Sequence, residues 1–202
     1  MFRSDTVAAL RRERAEFILF CRDLDDAQWR TPSRAAGWRV QDVVAHVGSA
    51  CHSLFTPASL NTMRSSNIER TNDAFVDARR AWTTTQTLAE YQRWSRVLIA
   101  AAGTIFRTPL ADLKVPLAEL GKFPAVLLLT GAMTFDIHTH LRYDIAPALD
   151  LPTPDTDANR MAVVLEWMFA VLTNQSAGDP AGVVRPPSGH DAAWARRRKL
   201  GH

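Results

Sequence analysis

The chain has 202 residues and a formal net charge of +3, with 47% hydrophobic and 22% charged residues. This length favours a single domain, and the composition is that of a globular protein with enough apolar residues to bury a core. It excludes an intrinsically disordered chain, and two cysteines are too few for a disulfide framework.

The longest apolar segments argue against a membrane protein. Residues 123–135 and 161–172 are shorter than the roughly 20 apolar residues that a transmembrane helix needs. The N-terminal residues lack the apolar stretch of a secretory signal. A charge of +3 over 202 residues is too weak a field to indicate nucleic-acid binding. We therefore expect a reduced, cytoplasmic protein with neither a membrane nor a nucleic acid as its partner.

Apolar residues recur at three- and four-residue steps along most of the chain, which predicts helices rather than strands. Helices are predicted over residues 4–24, 40–57, 72–82, 87–107, 125–146 and 155–174, with one further helical turn at 25–29. The polar segments 58–71 and 109–122 are predicted to be surface connections. The predicted fold class is therefore all-α, a bundle of four main helices with long connections. Residues 1–176 form this bundle, and residues 177–202, rich in proline and arginine, are predicted to be a loosely ordered extension.

The most apolar predicted helix, over residues 125–146, carries three ionisable residues at four-residue steps. Asp136, His140 and Asp144 therefore lie along one face of this helix, whereas His138 points elsewhere. On the helix over residues 40–57, His46 is flanked by valines and is predicted to face inward.

These residues are candidates for a metal site. A carboxylate and an imidazole four residues apart can hold a divalent ion, and a third ligand from a neighbouring helix completes the set. His46, Asp136 and His140 meet this description if their helices pack together. Two plainer interpretations stay open: His46 is a hydrogen-bonded core histidine, and Asp136 with His140 is a helical ion pair.

Two segments resemble a known family. Residues 37–47 (GWRVQDVVAHV) are similar to the GW-x-V-x-D-V-V-A-H-L signature of the mycothiol-dependent maleylpyruvate isomerase N-terminal domain family, within the DinB-like metal-binding bundles. Residues 135–145 (FDIHTHLRYDI) resemble the second signature of that family, in which an acidic residue, a histidine and an aspartate recur on one helix. The resemblance covers roughly residues 5–175 and implies a DinB-like four-helix bundle.

The resemblance also implies the site residues and cofactors. His46, Asp136 and His140 match the ligands of a divalent metal ion, with Zn²⁺ the expected ion. Asp144 matches a trailing aspartate that supports the ligands or the helix packing, and a register in which Asp144 replaces Asp136 as ligand stays open. Asp42 is acidic in the family too, although the helix dipole alone favours a carboxylate in a first turn. Mycothiol or a similar thiol is the implied cosubstrate, and a homodimer is the implied assembly.

The resulting hypothesis is a metal-dependent transferase that joins a low-molecular-weight thiol to a small electrophilic molecule. The alternatives are a non-catalytic metal- or small-molecule-binding module and a metal-assisted hydrolase. The isomerases of the family continue into a second α/β domain, which residues 177–202 are too few to form, so we do not expect maleylpyruvate isomerisation. Cys51 is interpreted as a core residue rather than a nucleophile. Arg142 is expected either to hold an anionic substrate or to be solvated.

Overall fold

The computed structural model describes the backbone of residues 3–178 and the side chains of residues 5–175. These residues form eight α-helices and one antiparallel pair of strands. The helices are α1 (Arg3–Arg22), α2 (Asp26–Arg30), α3 (Val40–Ser53), α4 (Ser59–Arg64), α5 (Ile68–Asp77), α6 (Thr84–Ile105), α7 (Met133–Thr139) and α8 (Ala158–Gly178), and the strands are β1 (Lys114–Leu117) and β2 (Gly121–Pro124). The prediction of an all-α, DinB-like bundle is confirmed.

The helix around α7 is longer than its regular α-helical part. Leu127–Ala132 before it and His140–Ile145 after it are π-helical, and the helical backbone is continuous over residues 125–145. We call this continuous helix the α7 rod. π-Helical turns within helices are frequent at functional sites, and the rod carries two of the three predicted metal ligands.

Four helices surround the main core. α3 packs against α6, α6 against α1, α1 against the α7 rod, and the rod against α3. Fully buried apolar side chains from all four fill the centre: Leu10 and Phe17 of α1, Val43 and Val47 of α3, Tyr91 and Leu98 of α6, and Ile137 and Leu141 of the rod. α8 packs outside this arrangement against α1 and the rod, and Trp167 joins a second cluster with Phe123 and Leu128.

The start of α3 is fixed by a turn and a buried carboxylate. Gly37 has a φ of +81°, a left-handed conformation that favours glycine. Asp42 then accepts the backbone N–H of Arg39 and pairs with the guanidinium groups of Arg39 and Arg80. Burial alone would raise the pKa of Asp42, but these hydrogen bonds and charges hold it below its usual range. Asp42 therefore caps α3 and sets the level at which the helix begins.

Two predicted connections contain regular structure. The segment 58–71 includes α4 and the start of α5, where the side chain of Asn67 accepts the N–H of Arg70 as an N-cap. α5 has few apolar residues and buries only Val76, so apolar periodicity marks its start poorly. The segment 109–122 contains β1 and the first half of β2, which pair antiparallel with Val115 opposite Phe123. Each strand has four residues, too few for an alternating pattern.

The extension predicted for residues 177–202 lies outside the described residues, apart from the end of α8 at Gly178. Within the part of the chain that the structure describes, no helix combines the length and the apolar character needed to cross a bilayer.

Candidate metal centre

The structure brings the three predicted ligands together between α3 and the α7 rod. His46 Nε2 and His140 Nε2 each lie 3.3 Å from the same oxygen, Oδ1 of Asp136. The two imidazole ring centroids are 5.0 Å apart. One donor atom from each residue lies within 4.8 Å of the other two. Within residues 5–175 this is the only group of three or more such side chains with donor atoms this close.

The two 3.3 Å distances are long for charge-assisted hydrogen bonds and match the spacing of two ligand atoms on one ion. Two ligand atoms at about 2.0–2.1 Å from a tetrahedral ion are about 3.3 Å apart. A charge-assisted N–H···O hydrogen bond is shorter, at about 2.7–2.9 Å. Two imidazoles and one carboxylate are also a donor set that Zn²⁺ accepts. The residues therefore fit a divalent ion, and metal ligation by them stays a prediction.

Two buried polar atoms of the cluster have no hydrogen-bond partner in the structure, Oδ2 of Asp136 and Nδ1 of His46. A buried carboxylate oxygen without a donor costs free energy, and a cation held by Asp136 would offset that cost. The side chain of His46 is 7% exposed, that of His140 16% and that of Asp136 23%. The centre is therefore mostly buried, and Asp136 is the most exposed of its three residues.

The electrostatics of the cluster favour a charged carboxylate. Burial alone would raise the pKa of Asp136, but the charges of His46 and His140 and their hydrogen bonds hold it far below its usual range. Burial would lower the pKa of His140, and the carboxylates of Asp136 and Asp144 instead raise it from its ordinary value of 6.5 to about 10. In the metal-free protein His140 is therefore protonated. Its positive charge lies beside Asp136, as the charge of a bound cation would.

Asp144 supports His140 from the far side of its ring. Oδ2 of Asp144 lies 2.7 Å from Nδ1 of His140, so an N–H at Nδ1 donates to this carboxylate and Nε2 is directed towards Asp136. Such a carboxylate fixes the tautomer and the orientation of a ligand histidine. The structure places Asp136, and not Asp144, beside both Nε2 atoms.

The indole of Trp38 forms one wall of the centre. The ring of Trp38 lies 5.0 Å from that of His46 and 6.3 Å from that of His140, measured between centroids. Its indole N–H donates to Oδ1 of Asp73 on α5, at 3.0 Å. Trp38 stands eight residues before His46 in the chain, but no pattern in the sequence links it to Asp73.

His138 and Arg142 belong to a different, structural site. His138 points away from His140, as predicted, and its Nδ1 lies 3.1 Å from Oε1 of the fully buried Glu13. Arg142 is also buried and donates to Oε2 of Glu13 at 2.8 Å. Arg142 is therefore neither solvated nor available to a substrate, and neither interpretation made from the sequence was right.

Two further side chains of α3, His52 and Cys51, do not belong to the cluster. His52 pairs through Nδ1 with Oε1 of Glu90 at 2.7 Å and stacks on Trp94. Cys51 is fully buried, and burial raises the pKa of its thiol well above its usual range. The interpretation of Cys51 as a core residue is confirmed.

Comparison with known proteins assigns the family. The family model described as "Mycothiol maleylpyruvate isomerase N-terminal domain" matches residues 10–146, about two thirds of the chain. No curated protein and no solved structure matches the chain significantly. The matched residues include α3, α6, the α7 rod and all three candidate ligands. The chain belongs to the mycothiol maleylpyruvate isomerase N-terminal domain family, which is consistent with its placement among the DinB-like bundles.

Proposed function

We propose that this protein is a metal-dependent transferase that uses mycothiol, or a similar low-molecular-weight thiol, and acts on small electrophilic molecules. Zn²⁺ is the proposed ion and His46, Asp136 and His140 are its proposed ligands. The observation that carries the proposal is the convergence of these three donors on one point, with 3.3 Å between each imidazole and the shared carboxylate oxygen. The mycothiol-related family of the chain supports the choice of thiol.

The three proposed ligands would leave the bound ion able to bind a reactant. Three protein ligands keep one position of a tetrahedral ion open for an exogenous ligand. Asp136 contributes one negative charge, and the two imidazoles bind in their neutral form, so the centre would keep a net positive charge that attracts an anion such as a thiolate. A bound Zn²⁺ lowers the pKa of a coordinated thiol and supplies thiolate at neutral pH.

The chain itself offers no thiol to this centre. Its two cysteines, Cys21 and Cys51, are buried in the core, and burial raises the pKa of both. A thiol nucleophile would therefore be a small molecule from outside the chain, and Asp136 is the most exposed of the three proposed ligands. Its sulfur would form a bond to an electrophilic carbon, the leaving group would depart with its electron pair, and the thiol proton would pass to solvent. Asp144 would hold His140 in position throughout.

Metal content and turnover, measured together, test this proposal. The protein is purified without chelators, and its metal content is compared with that of His46→Ala and of His52→Ala, a matched control on the same helix. We expect about one ion per chain in the unaltered protein and in His52→Ala, and none in His46→Ala. We expect turnover of an activated aryl halide only when both mycothiol and the ion are present.

Each other outcome overturns part of the proposal. Hydrolysis of ester or amide substrates in the absence of added thiol would identify a metal-assisted hydrolase instead. Full metal occupancy with no turnover of any electrophile would identify a binding module. Absence of metal from the unaltered protein and from both variants after incubation with Zn²⁺ would show that the three residues do not form a metal centre.

A further inference from the structure

We propose that Asp73 and Trp38 are positioning residues for His46, and that they couple helix α5 to the metal centre. The proposal rests on the proposed function only in requiring that the centre binds a divalent ion. It makes no use of the thiol or of the electrophile.

The two histidines of the centre are held in different ways. Nδ1 of His140 is fixed by the carboxylate of Asp144 at 2.7 Å. Nδ1 of His46 is buried and has no hydrogen-bond partner in the structure. Hydrogen bonding at Nδ1 therefore cannot set the rotation of the His46 ring, although a ligand histidine needs a defined orientation.

The group that packs against His46 is the indole of Trp38. Their ring centroids are 5.0 Å apart, with the planes tilted by 39°. Trp38 is 9% exposed and belongs to the main core cluster, so its ring has packed neighbours on most sides. Its own backbone is fixed by the turn before α3, because its N–H donates to the carbonyl of Ala35 and its carbonyl accepts from the N–H of Ser33. The indole is thus held in place, and its contact with the His46 ring limits the rotation of that ring.

Asp73 fixes the remaining freedom of that indole. Nε1 of Trp38 donates to Oδ1 of Asp73 at 3.0 Å, and Asp73 lies on α5, a helix whose only buried residue is Val76. α5 packs against α3, and this hydrogen bond connects it to the wall of the centre as well. Because coupling between two sites is reciprocal, ion binding at His46 should also stabilise α5.

The experiment is a titration of the metal-free protein with Co²⁺, which reports its affinity and, through its visible d–d absorption, the ligand geometry. The variants are Asp73→Ala and Trp38→Phe, which remove the acceptor and the indole N–H, and Asp73→Asn, which keeps an acceptor oxygen but not the charge. Asp77→Ala is the matched control, because Asp77 is an exposed aspartate on the same helix that pairs with Arg80 instead. Circular dichroism verifies that each variant is folded.

We expect Co²⁺ to bind about tenfold more weakly to Asp73→Ala and Trp38→Phe, the lower end of the range for residues that support metal ligands. Their d–d spectra should change, and Asp73→Asn and Asp77→Ala should resemble the unaltered protein in both readouts. In the unaltered protein, Co²⁺ should slow hydrogen exchange of the amides of α5, and this slowing should be lost in Asp73→Ala.

The outcomes separate this proposal from the proposed function. Equal affinity and equal spectra in all five proteins would overturn the positioning role while leaving the metal centre intact. Equal weakening in Asp73→Ala and Asp77→Ala would show that only negative charge on α5 matters, which also overturns it. Failure of the unaltered protein to bind Co²⁺ would instead overturn the proposed function and, with it, this inference.

Discussion

Asp144 and Asp136 are both one helical turn from His140, but they contact different nitrogens of its ring. Because Asp144 contacts the ring nitrogen that faces away from the cluster, replacing it should weaken metal binding without abolishing it. We expect Asp144→Asn to lower the affinity for Zn²⁺ by about 10- to 100-fold, and Asp136→Asn to remove measurable binding. Competition with a chromophoric chelator measures both, with the exposed Asp23→Asn as control. Equal loss in the two variants would mean that Asp144 is itself a ligand.

The proton on His140 makes the stability of the metal-free protein depend on pH. The pKa of His140 is raised from 6.5 to about 10, so its contribution is fully present below about pH 6.5 and is lost as pH rises towards about 10. The pKa of Asp136 is lowered, so its contribution is present above about pH 4 and is lost as pH falls towards the lowered value.

Urea unfolding of the chelator-treated protein and of His140→Gln tests this expectation. The difference in unfolding free energy between the two should be largest between about pH 4 and about pH 6.5, and should shrink towards pH 10. A difference that does not change with pH would contradict the pairing of His140 with the two carboxylates. Because a metal ion must displace the proton of His140, metal affinity should rise as the pH rises towards about 10.

At the scale of the helices, the sequence was informative where apolar residues repeat. The periodicity of Val7, Leu10 and Phe17 placed α1 within two residues at either end, and the valines around His46 placed the start of α3 correctly. The π-helical turns on either side of α7 were not predicted, because apolar periodicity indicates a helix without showing which residues form i→i+5 hydrogen bonds. α5 was placed four residues too late, since its N-cap at Asn67 precedes a segment with little apolar content.

The contact between α3 and α6 depends on a small residue. A Cβ atom added at Gly48 would lie 3.3 Å from the backbone nitrogen of Tyr91, whereas one added at Gly103 of α6 would meet nothing within 4 Å. We expect Gly48→Val to destabilise the protein by about 1–3 kcal/mol through overpacking. Gly103→Val, the matched control, should change stability by less than about 0.5 kcal/mol. Chemical denaturation compares the two, and equal effects would argue against a close approach at Gly48.

For the molecule as a whole, the limit of sequence analysis is contact between distant segments. The four-residue spacing identified Asp136 and His140 as neighbours, but His46 lies 90 positions away from Asp136. Spacing alone made the set of three depend on whether two helices pack together, and the resemblance of residues 37–47 to a family signature then supported it. The contact of Trp38 with Asp73 has no such signature and required the structure.

A buried ionic network also joins distant segments. Glu13 of α1 contacts His138 and Arg142 of the α7 rod and Arg160 of α8. We expect Glu13→Gln to destabilise the protein by about 1–3 kcal/mol, because it removes a buried charge while Glu16 still pairs with Arg142 and Arg160. The neighbouring Arg12 forms an exposed pair with Asp157, so Arg12→Gln should cost less than about 1 kcal/mol. Thermal and urea unfolding measure both, and a small effect of Glu13→Gln would indicate that the network is not needed to hold the three helices together.

The accessible edge of Asp136 has a kinetic consequence. Because the side chain of Asp136 is 23% exposed while that of His46 is 7% exposed, we expect a bound ion to exchange past Asp136 without separation of α3 from the α7 rod. Loading and stripping then proceed on the time scale of ligand exchange, not of global unfolding. A mild chelator will therefore yield a folded apoprotein within minutes, and reloading it with a series of divalent ions will compare them on one unchanged scaffold.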